Sequence, residues 1–437
     1  MFNNKKNTFE QHDNEKKSYY KYSIEANDES IELQSNLQVD VCVIGGGFTG
    51  VSAALHLEKK GYKVALLEAR KIGWGASGRN GGQLTCGLRK DQSIIENILG
   101  FDHAKELWNL SLESVQEVLK NIKDYNIDCS IVNGVMSAGY FKEDYRYFSN
   151  LIEHSSKKYN FNEYKLFNLT EIKEEINTNK YYSGLLNNIS YHLNPLKYLL
   201  GLSKKLKSLN KNIFENSHAL DIEEFADKLV VKTDKGKVTA NYVVCGCNGY
   251  LDALLGKIRN KFMPINNYII ATEPLGQKKA EEIIRNNYAV CDTRFIIDYY
   301  RFSEDWRMLF GGGETFTSNF LHDPIKIVSN RMYKIFPNLK EYNIDFAWGG
   351  TLAITVNRLP HFGTLLNDKL IFCHGYSGHG IGLSNLAGKL ISEKISGNPE
   401  RFNFFRDINH LTIFGGDFLR RPIYAAAIGY YKIRDII

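Results

Sequence analysis

Three glycines followed by one carboxylate are the residues whose types and spacing first point to a chemistry. Gly45 allows a tight turn, Gly47 lets backbone approach a pyrophosphate, and Gly50 lets a helix pack close to a strand. Glu68 stands eighteen residues after Gly50, where a carboxylate accepts hydrogen bonds from ribose hydroxyls. The spacing therefore predicts a dinucleotide site, and the alternative is a glycine turn inside an ordinary βαβ unit.

Two strands and a helix are needed to hold these residues. Residues 39–44 form a short β-branched run, and residues 62–67 form a second one that ends at Glu68. Between them, residues 51–60 have helical spacing that ends at Gly61. The start of such a helix offers free N–H groups and a partial positive charge to phosphates. Strand, turn, helix, strand and acid therefore follow the order of a Rossmann-like unit.

Two further glycine loops favour a flavin over a nicotinamide cofactor. Residues 73–83 are rich in glycine and serine and follow the acid closely, although a flexible surface loop is the alternative. Residues 375–380 lie between a predicted strand and a predicted helix at 381–395. Residues 45–50 and residues 375–380 are thus both glycine loops at the start of a helix, and such a pair suits a long cofactor that is held at both ends. The dipole of that helix would face the negative charge of a reduced flavin.

Length, charge and cysteine usage limit the class of protein. The 437 residues are enough for two domains, or for one large domain with an insertion. The net charge is +6 without a dense basic block, so no nucleic-acid partner is predicted. The seven cysteines lack the spacing of a disulfide framework or a metal site. The first 38 residues are polar and no long apolar run follows, which predicts a cytoplasmic protein without a signal peptide or transmembrane segment.

The predicted elements indicate an α/β fold that is α+β in part. We expect a Rossmann-like FAD-binding domain and a substrate domain built on a discontinuous antiparallel sheet. The predicted segments of the FAD-binding domain are residues 1–90 with an N-terminal arm, 160–255, and 345–437 with a C-terminal tail. The predicted segments of the substrate domain are residues 91–159 and 256–344. The oligomeric state stays open.

The sequence resembles the FAD-dependent amine oxidases of the D-amino-acid oxidase superfamily over nearly its whole length. The motifs that carry the resemblance are residues 40–83, 193–195, 297–301, 311–313 and 375–380, with Gly415-Gly416, Leu419-Arg420 and Tyr430-Tyr431 in the tail. The glycine motifs identify only the superfamily, whereas residues 298–301 and the tail are specific to a smaller group of proteins within it. Residues 245–247 depart from the usual pattern, because two cysteines stand where small residues are common.

The resemblance implies noncovalent FAD. There is no cysteine near Trp348, and Arg79-Asn80 replaces the Trp-His pair of some relatives that bind the flavin covalently. The residues expected to hold FAD lie in the three glycine loops and in short segments beside them. They are Gly45, Gly47, Phe48, Thr49, Gly50, Glu68, Ala69, Arg70, Ser77, Gly78, Arg79, Asn80, Gly81, Gly82, Gln83, Ala219, Asn248, Gly249, Gly349, Gly375, Ser377, Gly378, His379, Gly380 and Ile381.

Aromatic residues and arginines are the predicted substrate contacts. The catalytic candidates are Tyr299, Tyr300, Trp348 and His379. Aromatic rings hold an amine near their faces, although a plain core position is the alternative for each of them. The substrate-binding candidates are Arg301, Arg358 and Tyr376. Either arginine could pair with a substrate carboxylate, and the alternative is a structural salt bridge.

The resemblance implies oxidation of an amine to an imine, with O2 as the acceptor and hydrogen peroxide as a product. Hydrolysis of the imine gives an aldehyde and ammonia. The protein must position the carbon, favour the unprotonated amine and exclude water. The expected partners are therefore a small amine and O2. Two alternatives stay open, namely a dehydrogenase that passes electrons to a quinone or carrier, and a non-catalytic binding subunit that FAD stabilises.

Overall fold

The described strands of the chain form two sheets. The structure, a computed structural model, describes residues 18–24, 30–251, 254–315, 320–321 and 323–413. The tail motifs at Gly415-Gly416, Leu419-Arg420 and Tyr430-Tyr431 therefore lie outside the described residues. The strands are β1 (Leu37–Ile44), β2 (Val64–Leu67), β3 (Gln83–Leu84), β4 (Val132–Gly139), β5 (Tyr164–Phe167), β6 (Ser183–His192), β7 (Ile213–Phe214), β8 (Asp221–Phe225), β9 (Lys228–Lys232), β10 (Lys237–Cys245), β11 (Phe262–Thr272), β12 (Ala289–Asp292), β13 (Tyr299–Phe302), β14 (Met308–Thr315), β15 (Ile344–Thr355), β16 (His361–Leu365) and β17 (Leu370–His374).

Helices cover both sheets. The α-helices are α1 (Tyr19–Tyr22), α2 (Phe48–Lys59), α3 (Gln92–Leu99), α4 (Phe101–Asp124), α5 (Asp144–Tyr159), α6 (Leu169–Glu175), α7 (Pro195–Leu209), α8 (Gly256–Arg259), α9 (Gln277–Ile283), α10 (Ile325–Ile335), α11 (Gly380–Ile395) and α12 (Glu400–Arg406). Short 3-10 turns occupy Ala76–Gly78, Asn248–Tyr250 and Pro337–Glu341. Helix α7 begins at Pro195, because the Asn194 side chain accepts a hydrogen bond from Lys197 N and Pro195 fills the first helical position.

The first sheet has the parallel core of a Rossmann-like domain. Its order is β16-β17-β10-β1-β2-β7, with β9 and β8 added beside β10. Strands β1, β2, β7, β10 and β17 run parallel, and β16 is antiparallel to β17. Ile44 pairs with both Leu67 and Cys245, so three strands end at one edge. The predicted fold class is confirmed, and ligands of such sheets bind at this edge.

The second sheet includes strands from two segments that the sequence assigned to the FAD-binding domain. Its order is β15-β11-β14-β13-β12-β4-β6-β3, with β5 beside β6. Strands β5 and β6 and strand β15 belong to this sheet, although the sequence assigned residues 160–255 and 345–437 to the FAD-binding domain. The sheet is mixed rather than fully antiparallel, because β12 runs parallel to β4. Short apolar strands carry no sequence signal for which of two sheets they join, which explains the error.

Helix α4 also lies on a different domain from the one predicted. Leu107, Trp108 and Val115 of α4 share the apolar core of Val41 and Phe48 in the first domain. The predicted substrate segment 91–159 is therefore divided. Its helices α3 and α4 pack on the first domain, whereas β4 joins the second sheet. The 3.6-residue apolar period of α4 is typical of a helix but does not identify the surface that the helix covers.

The N-terminal arm is attached through two tyrosines. Tyr19 and Tyr20 are buried, whereas Tyr22 is 63% exposed. The Tyr19 hydroxyl donates to Asp305 at 2.6 Å, and the Tyr20 hydroxyl donates to the Asn80 carbonyl at 2.8 Å. Tyr19 and Tyr20 therefore anchor the arm to the body of the protein, and Tyr22 makes a ring contact with Phe346.

Three histidine rings are packed together beside the edge of the first sheet. His361 Nδ1 lies 2.8 Å from His374 Nε2, and the His361 and His410 ring centroids are 4.5 Å apart. Burial, together with the neighbouring His410 and Lys261, lowers the pKa of His361 to about 3. The His361 ring is therefore neutral in the folded protein at pH 7, while an unfolded histidine titrates near pH 6.5.

We expect His361→Gln to change the pH dependence of stability. The folded-state pKa lies below the unfolded one, so the contribution of His361 is present above about pH 6.5 and is lost as the pH falls. The difference in free energy of unfolding between wild type and variant should fall by about 1.4 kcal/mol per pH unit below that point. Urea unfolding at several pH values measures it. A constant difference would contradict a neutral buried ring.

Candidate active site

A long cavity follows the edge where the parallel strands of the first sheet end. Ile44, Leu67 and Cys247 line it at the ends of β1, β2 and β10. Its far wall is formed by the second sheet, with Asn267 of β11 and Tyr299 of β13. The cavity encloses about 2320 Å³ of empty space including its mouth. Its lining extends from the strand ends of the first sheet to the second sheet, as a long cofactor with a substrate beside it requires.

A carboxylate is fixed at the end of β2. Glu68 Oε2 accepts a hydrogen bond from Gly46 N at 2.6 Å, and Oε1 accepts one from Arg70 N at 2.8 Å. Burial raises the pKa of Glu68, and these backbone donors oppose that effect. A carboxylate has about four acceptor positions, so capacity remains for hydroxyl groups of a ligand.

The first turn of α2 opens on the same part of the cavity. The helix begins after Gly47, whose position offers no side-chain cap. A Cβ atom at Gly47 would lie only 2.9 Å from Ser77 Oγ, and that hydroxyl accepts from Phe48 N at 3.0 Å. Gly47, Phe48 and Thr49 line the cavity. Helix N–H groups and a partial positive charge therefore face the place where phosphates would lie.

The second glycine loop is held by its own polar side chains. Arg79 Nε donates to the Trp74 carbonyl at 2.7 Å, and Arg79 Nη1 donates to the Gly349 carbonyl at 3.0 Å. Asn80 Nδ2 donates to the Ala76 carbonyl at 3.0 Å. These hydrogen bonds hold the loop in place, and Arg79 joins it to β15 of the other sheet.

The third glycine loop is tied to the first. The hydroxyl groups of Tyr376 and Thr49 are 2.8 Å apart and hydrogen-bonded. Gly375 N donates to Asn248 Oδ1 at 3.1 Å. Gly375 has a φ of +74°, in the region that favours glycine, and its loop leads directly into α11. Three glycine loops from distant parts of the sequence therefore meet around one cavity.

Most of the predicted cofactor contacts line this cavity, and the others lie behind it. The residues that line it are Gly45, Gly47, Phe48, Thr49, Glu68, Ala69, Ser77, Arg79, Asn80, Gly81, Gln83, Ala219, Asn248, Ser377, Gly378, Gly380 and Ile381. The predicted residues outside the lining are Gly50, Arg70, Gly78, Gly82, Gly249, Gly349, Gly375 and His379. Gly50 faces backbone, since a Cβ atom there would lie 1.9 Å from the Gly45 carbonyl oxygen, so its role is packing.

Two of the predicted catalytic aromatics are core residues. The Tyr300 ring stacks on Phe310 with centroids 5.5 Å apart, and its hydroxyl donates to Tyr181 at 3.1 Å. Trp348 is fully buried and donates from Nε1 to the Arg79 carbonyl at 3.0 Å. Neither lines the cavity. The structure therefore corrects both predictions, because these rings stabilise the walls instead of facing a substrate.

Arg301 and His379 also have other partners than those predicted. Arg301 Nε donates to the Gly81 carbonyl at 2.8 Å, and Nη2 donates to the Leu193 carbonyl at 2.9 Å. Arg301 is therefore outside the cavity lining and holds the backbone of Gly81, which does line the cavity. His379 Nε2 lies 2.8 Å from Thr85 Oγ1, and burial lowers its pKa to about 4. This neutral ring connects the start of α11 with the segment after β3 instead of facing the cavity.

Three of the predicted substrate contacts do line the cavity, namely Tyr299, Arg358 and Tyr376. The Tyr299 hydroxyl donates to Asn267 Oδ1 at 2.5 Å, and burial raises its pKa. Tyr299 is therefore protonated at neutral pH and serves as a hydrogen-bond donor. The Arg358 guanidinium carbon lies 4.5 Å from the centroid of the Phe295 ring.

Sequence reasoning missed several lining residues that lie on or near strands of the second sheet, and we name this part of the cavity the substrate end. They are Arg89, Asn267, Phe295, Ile297 and Glu314. Two of them had a signal nearby. Glu314 follows the run Gly311–Gly313, which is one of the motifs that carry the family resemblance, and Arg89 follows the second glycine loop by six residues. Their charge at these positions was the feature that could have identified them.

Comparison with known proteins establishes the class. Residues 40–394 match the family of FAD dependent oxidoreductases. The chain is 37% identical over 403 residues to a probable oxidoreductase OrdL of Haemophilus influenzae, which covers 91% of this chain and 92% of that protein. It is 35% identical over 421 residues to gamma-glutamylputrescine oxidoreductase of Escherichia coli, and this match covers 96% of this chain and 98% of that protein. Glycine oxidase from Bacillus cereus has the same fold, with a TM-score of 0.69 at 20% identity over 84% of this chain and 97% of that one.

The chain therefore belongs to the FAD-dependent oxidoreductase family. It is an oxidoreductase, and FAD is its cofactor. The cavity fits this cofactor, because Glu68, the first turn of α2 and residues of the third glycine loop all line it. Bound FAD supplies an acceptor for two electrons. Among the described residues, no group of His, Cys, Asp and Glu could hold a metal ion, and no helix is long and apolar enough to cross a membrane.

Replacing Glu68 with Ala should weaken FAD binding. Two hydrogen bonds from ribose hydroxyls to a charged acceptor are lost, each worth about 1.5–3 kcal/mol. The dissociation constant should rise roughly 100-fold or more, measured by fluorescence titration of apoprotein with FAD. Glu58→Ala is the matched control, since Glu58 accepts from Val64 N at 3.1 Å but does not line the cavity. Full FAD occupancy of the Glu68 variant at low cofactor concentration would contradict this role.

Proposed function

We propose that this chain oxidises the terminal amine of gamma-glutamylputrescine in putrescine catabolism. O2 would be the acceptor, and hydrogen peroxide, ammonia and an aldehyde would be the products. The observation that carries the proposal is the position of Arg358 on the cavity wall beside Phe295. A substrate with an amine at one end and a carboxylate at the other needs a cation away from the reacting carbon. The 35% identity to gamma-glutamylputrescine oxidoreductase supports this choice of substrate.

The protein's part in this reaction is positioning. Arg358 would bind the glutamyl carboxylate, and that remote binding energy would hold the amine carbon in place. Tyr299, Asn267 and Phe295 would line the path between the two ends. The raised pKa of Tyr299 keeps its hydroxyl protonated, so it donates a hydrogen bond and does not act as a base. The amine gives up two electrons and two protons, which convert O2 to hydrogen peroxide, and water then releases ammonia from the imine.

Peroxide release tests the proposal. Purified holoenzyme is assayed with gamma-glutamylputrescine, putrescine, butylamine and glycine, with O2 consumption and peroxide measured together. We expect gamma-glutamylputrescine to have the highest kcat/KM and putrescine to lose both kcat/KM and some kcat. Equal rates on putrescine and its glutamyl derivative would exclude the proposed substrate. Bleaching of the flavin without peroxide would favour the dehydrogenase, and no bleaching would favour the binding subunit.

The yellow colour should leave the protein on acid precipitation if FAD is noncovalent.

Replacing Arg358 with Met should affect the two diamines differently. The loss of transition-state stabilisation with gamma-glutamylputrescine should be about 2–5 kcal/mol, because a partly buried carboxylate loses its cation. The loss with putrescine should be much smaller, since putrescine has no carboxylate. The ratio of kcat/KM values measures both. Arg285→Met is the matched control, because Arg285 is exposed and outside the cavity lining. Equal losses on the two substrates would make Arg358 structural.

A further inference from the structure

Two side chains of opposite charge line the substrate end of the cavity without a protein partner in the described chain. Glu314 stands next to the end of β14, and Arg89 lies between β3 and α3. Neither side chain makes a hydrogen bond, or an ion pair within 4 Å, to any residue that the structure describes. Both are partly buried, and a charge that is removed from water without a partner is costly. A ligand that supplies the missing partners would recover that cost.

The other charges nearby are already paired. Asp298 forms ion pairs with Arg294 and with Arg331. Arg331 also donates to the Ile296 carbonyl at 2.8 Å. The buried Arg301 is committed to backbone carbonyls. Glu314 and Arg89 therefore differ from these neighbouring charged residues, which have partners in the protein.

The two unpaired groups act on each other across a gap. Burial raises the pKa of Glu314, and the charges of Arg358, Arg89 and Arg331 oppose that rise. Arg89 is thus close enough to Glu314 to stabilise its carboxylate, yet it does not form an ion pair with it. Arg358 lines the same cavity, beside Phe295. The cavity lining therefore contains one anion and two cations that influence it.

We propose that Glu314 and Arg89, together with Arg358, bind the α-amino acid head of the substrate. The inference rests on the proposed function and deepens it by naming the head group that the site requires. The α-ammonium group would pair with Glu314, and the α-carboxylate would pair with Arg89 and Arg358. A head with only a carboxylate would be repelled by Glu314, and a head with only an ammonium group would be repelled by the arginines. The charge pattern therefore selects a zwitterion at the end remote from the reacting amine.

Ligand binding to the holoenzyme tests the head group without turnover. The probe is gamma-glutamylethylamide, which has the same head but no terminal amine to oxidise. Its N-acetyl derivative removes the ammonium charge, and its α-carboxamide removes the carboxylate. Calorimetry and the shift of the flavin absorbance measure each dissociation constant. We expect the wild type to bind the parent probe at least about 10-fold more tightly than either derivative.

Glu314→Gln should remove the preference for the ammonium group, and Arg89→Met should remove the preference for the carboxylate. Glu314→Gln should lower affinity for the parent probe about 10-fold or more and leave that of the N-acetyl derivative nearly unchanged. Arg89→Met should lower affinity for the parent and leave that of the carboxamide nearly unchanged. Glu314→Asp keeps the charge and should keep part of the ammonium preference. The matched controls are Lys90→Met and Glu341→Gln, which remove charges outside the cavity lining. Flavin absorbance and thermal unfolding confirm that each variant is folded and loaded.

The outcomes separate this inference from the proposed function. Wild-type affinities that are equal for the parent probe and its derivatives would overturn the zwitterion site, even if gamma-glutamylputrescine is oxidised. Equal losses of Glu314→Gln for parent and N-acetyl probe would overturn it as well. A loss of butylamine oxidation in Glu314→Gln as large as the loss with gamma-glutamylputrescine would place Glu314 at the reacting amine and not at the head. Selective binding of the probe without any peroxide from gamma-glutamylputrescine would instead refute only the proposed reaction.

Discussion

The close contact between α2 and the parallel strands is the constraint on which the rest of the structure depends. A Cβ atom at Gly50 would lie 1.9 Å from the Gly45 carbonyl oxygen, so only glycine allows this approach. Helix α11 presses on α2 from the other side, where a Cβ atom at Gly388 would lie 2.4 Å from Ala53 N. Helix α2 is thus in close contact with both the end of β1 and α11, and its first turn lines the cavity.

The cofactor end of the site was predictable because its determinants are local. The strand, turn, helix and acid between β1 and Glu68 lie within thirty-two residues, and each contributes a period or a residue type that the sequence displays. The predicted helix at 381–395 is observed as Gly380–Ile395 for the same reason. Glycine patterns did not distinguish packing from ligand contact, however. Gly50 and Gly78 belong to the motifs but face backbone carbonyls, which only the folded structure reveals.

The substrate end was less predictable because it is assembled from alternate faces of strands. Tyr299 and Tyr300 are neighbours on β13, and neighbouring side chains of a strand point to opposite faces. Tyr299 faces the cavity, while Tyr300 stacks on Phe310 in the core. Arg301 lies on the same face of β13 as Tyr299, but its guanidinium donates a hydrogen bond to the Gly81 carbonyl of the second glycine loop. Arg89 and Glu314 lie on separate elements far apart in sequence, so no spacing rule connects them.

The attachment of the N-terminal arm has a consequence for the order in which the chain can acquire its final form. Tyr20 accepts a hydrogen bond from Arg301 Nη2 at 3.1 Å, and its ring meets Trp348 at 5.3 Å. The same tyrosine donates to Asn80 in the second glycine loop. The arm is synthesised well before Arg301 and Trp348, and contacts between residues so far apart in sequence form slowly. The arm, and with it the Tyr20 hydrogen bond to the second glycine loop, therefore reaches its final position late in folding.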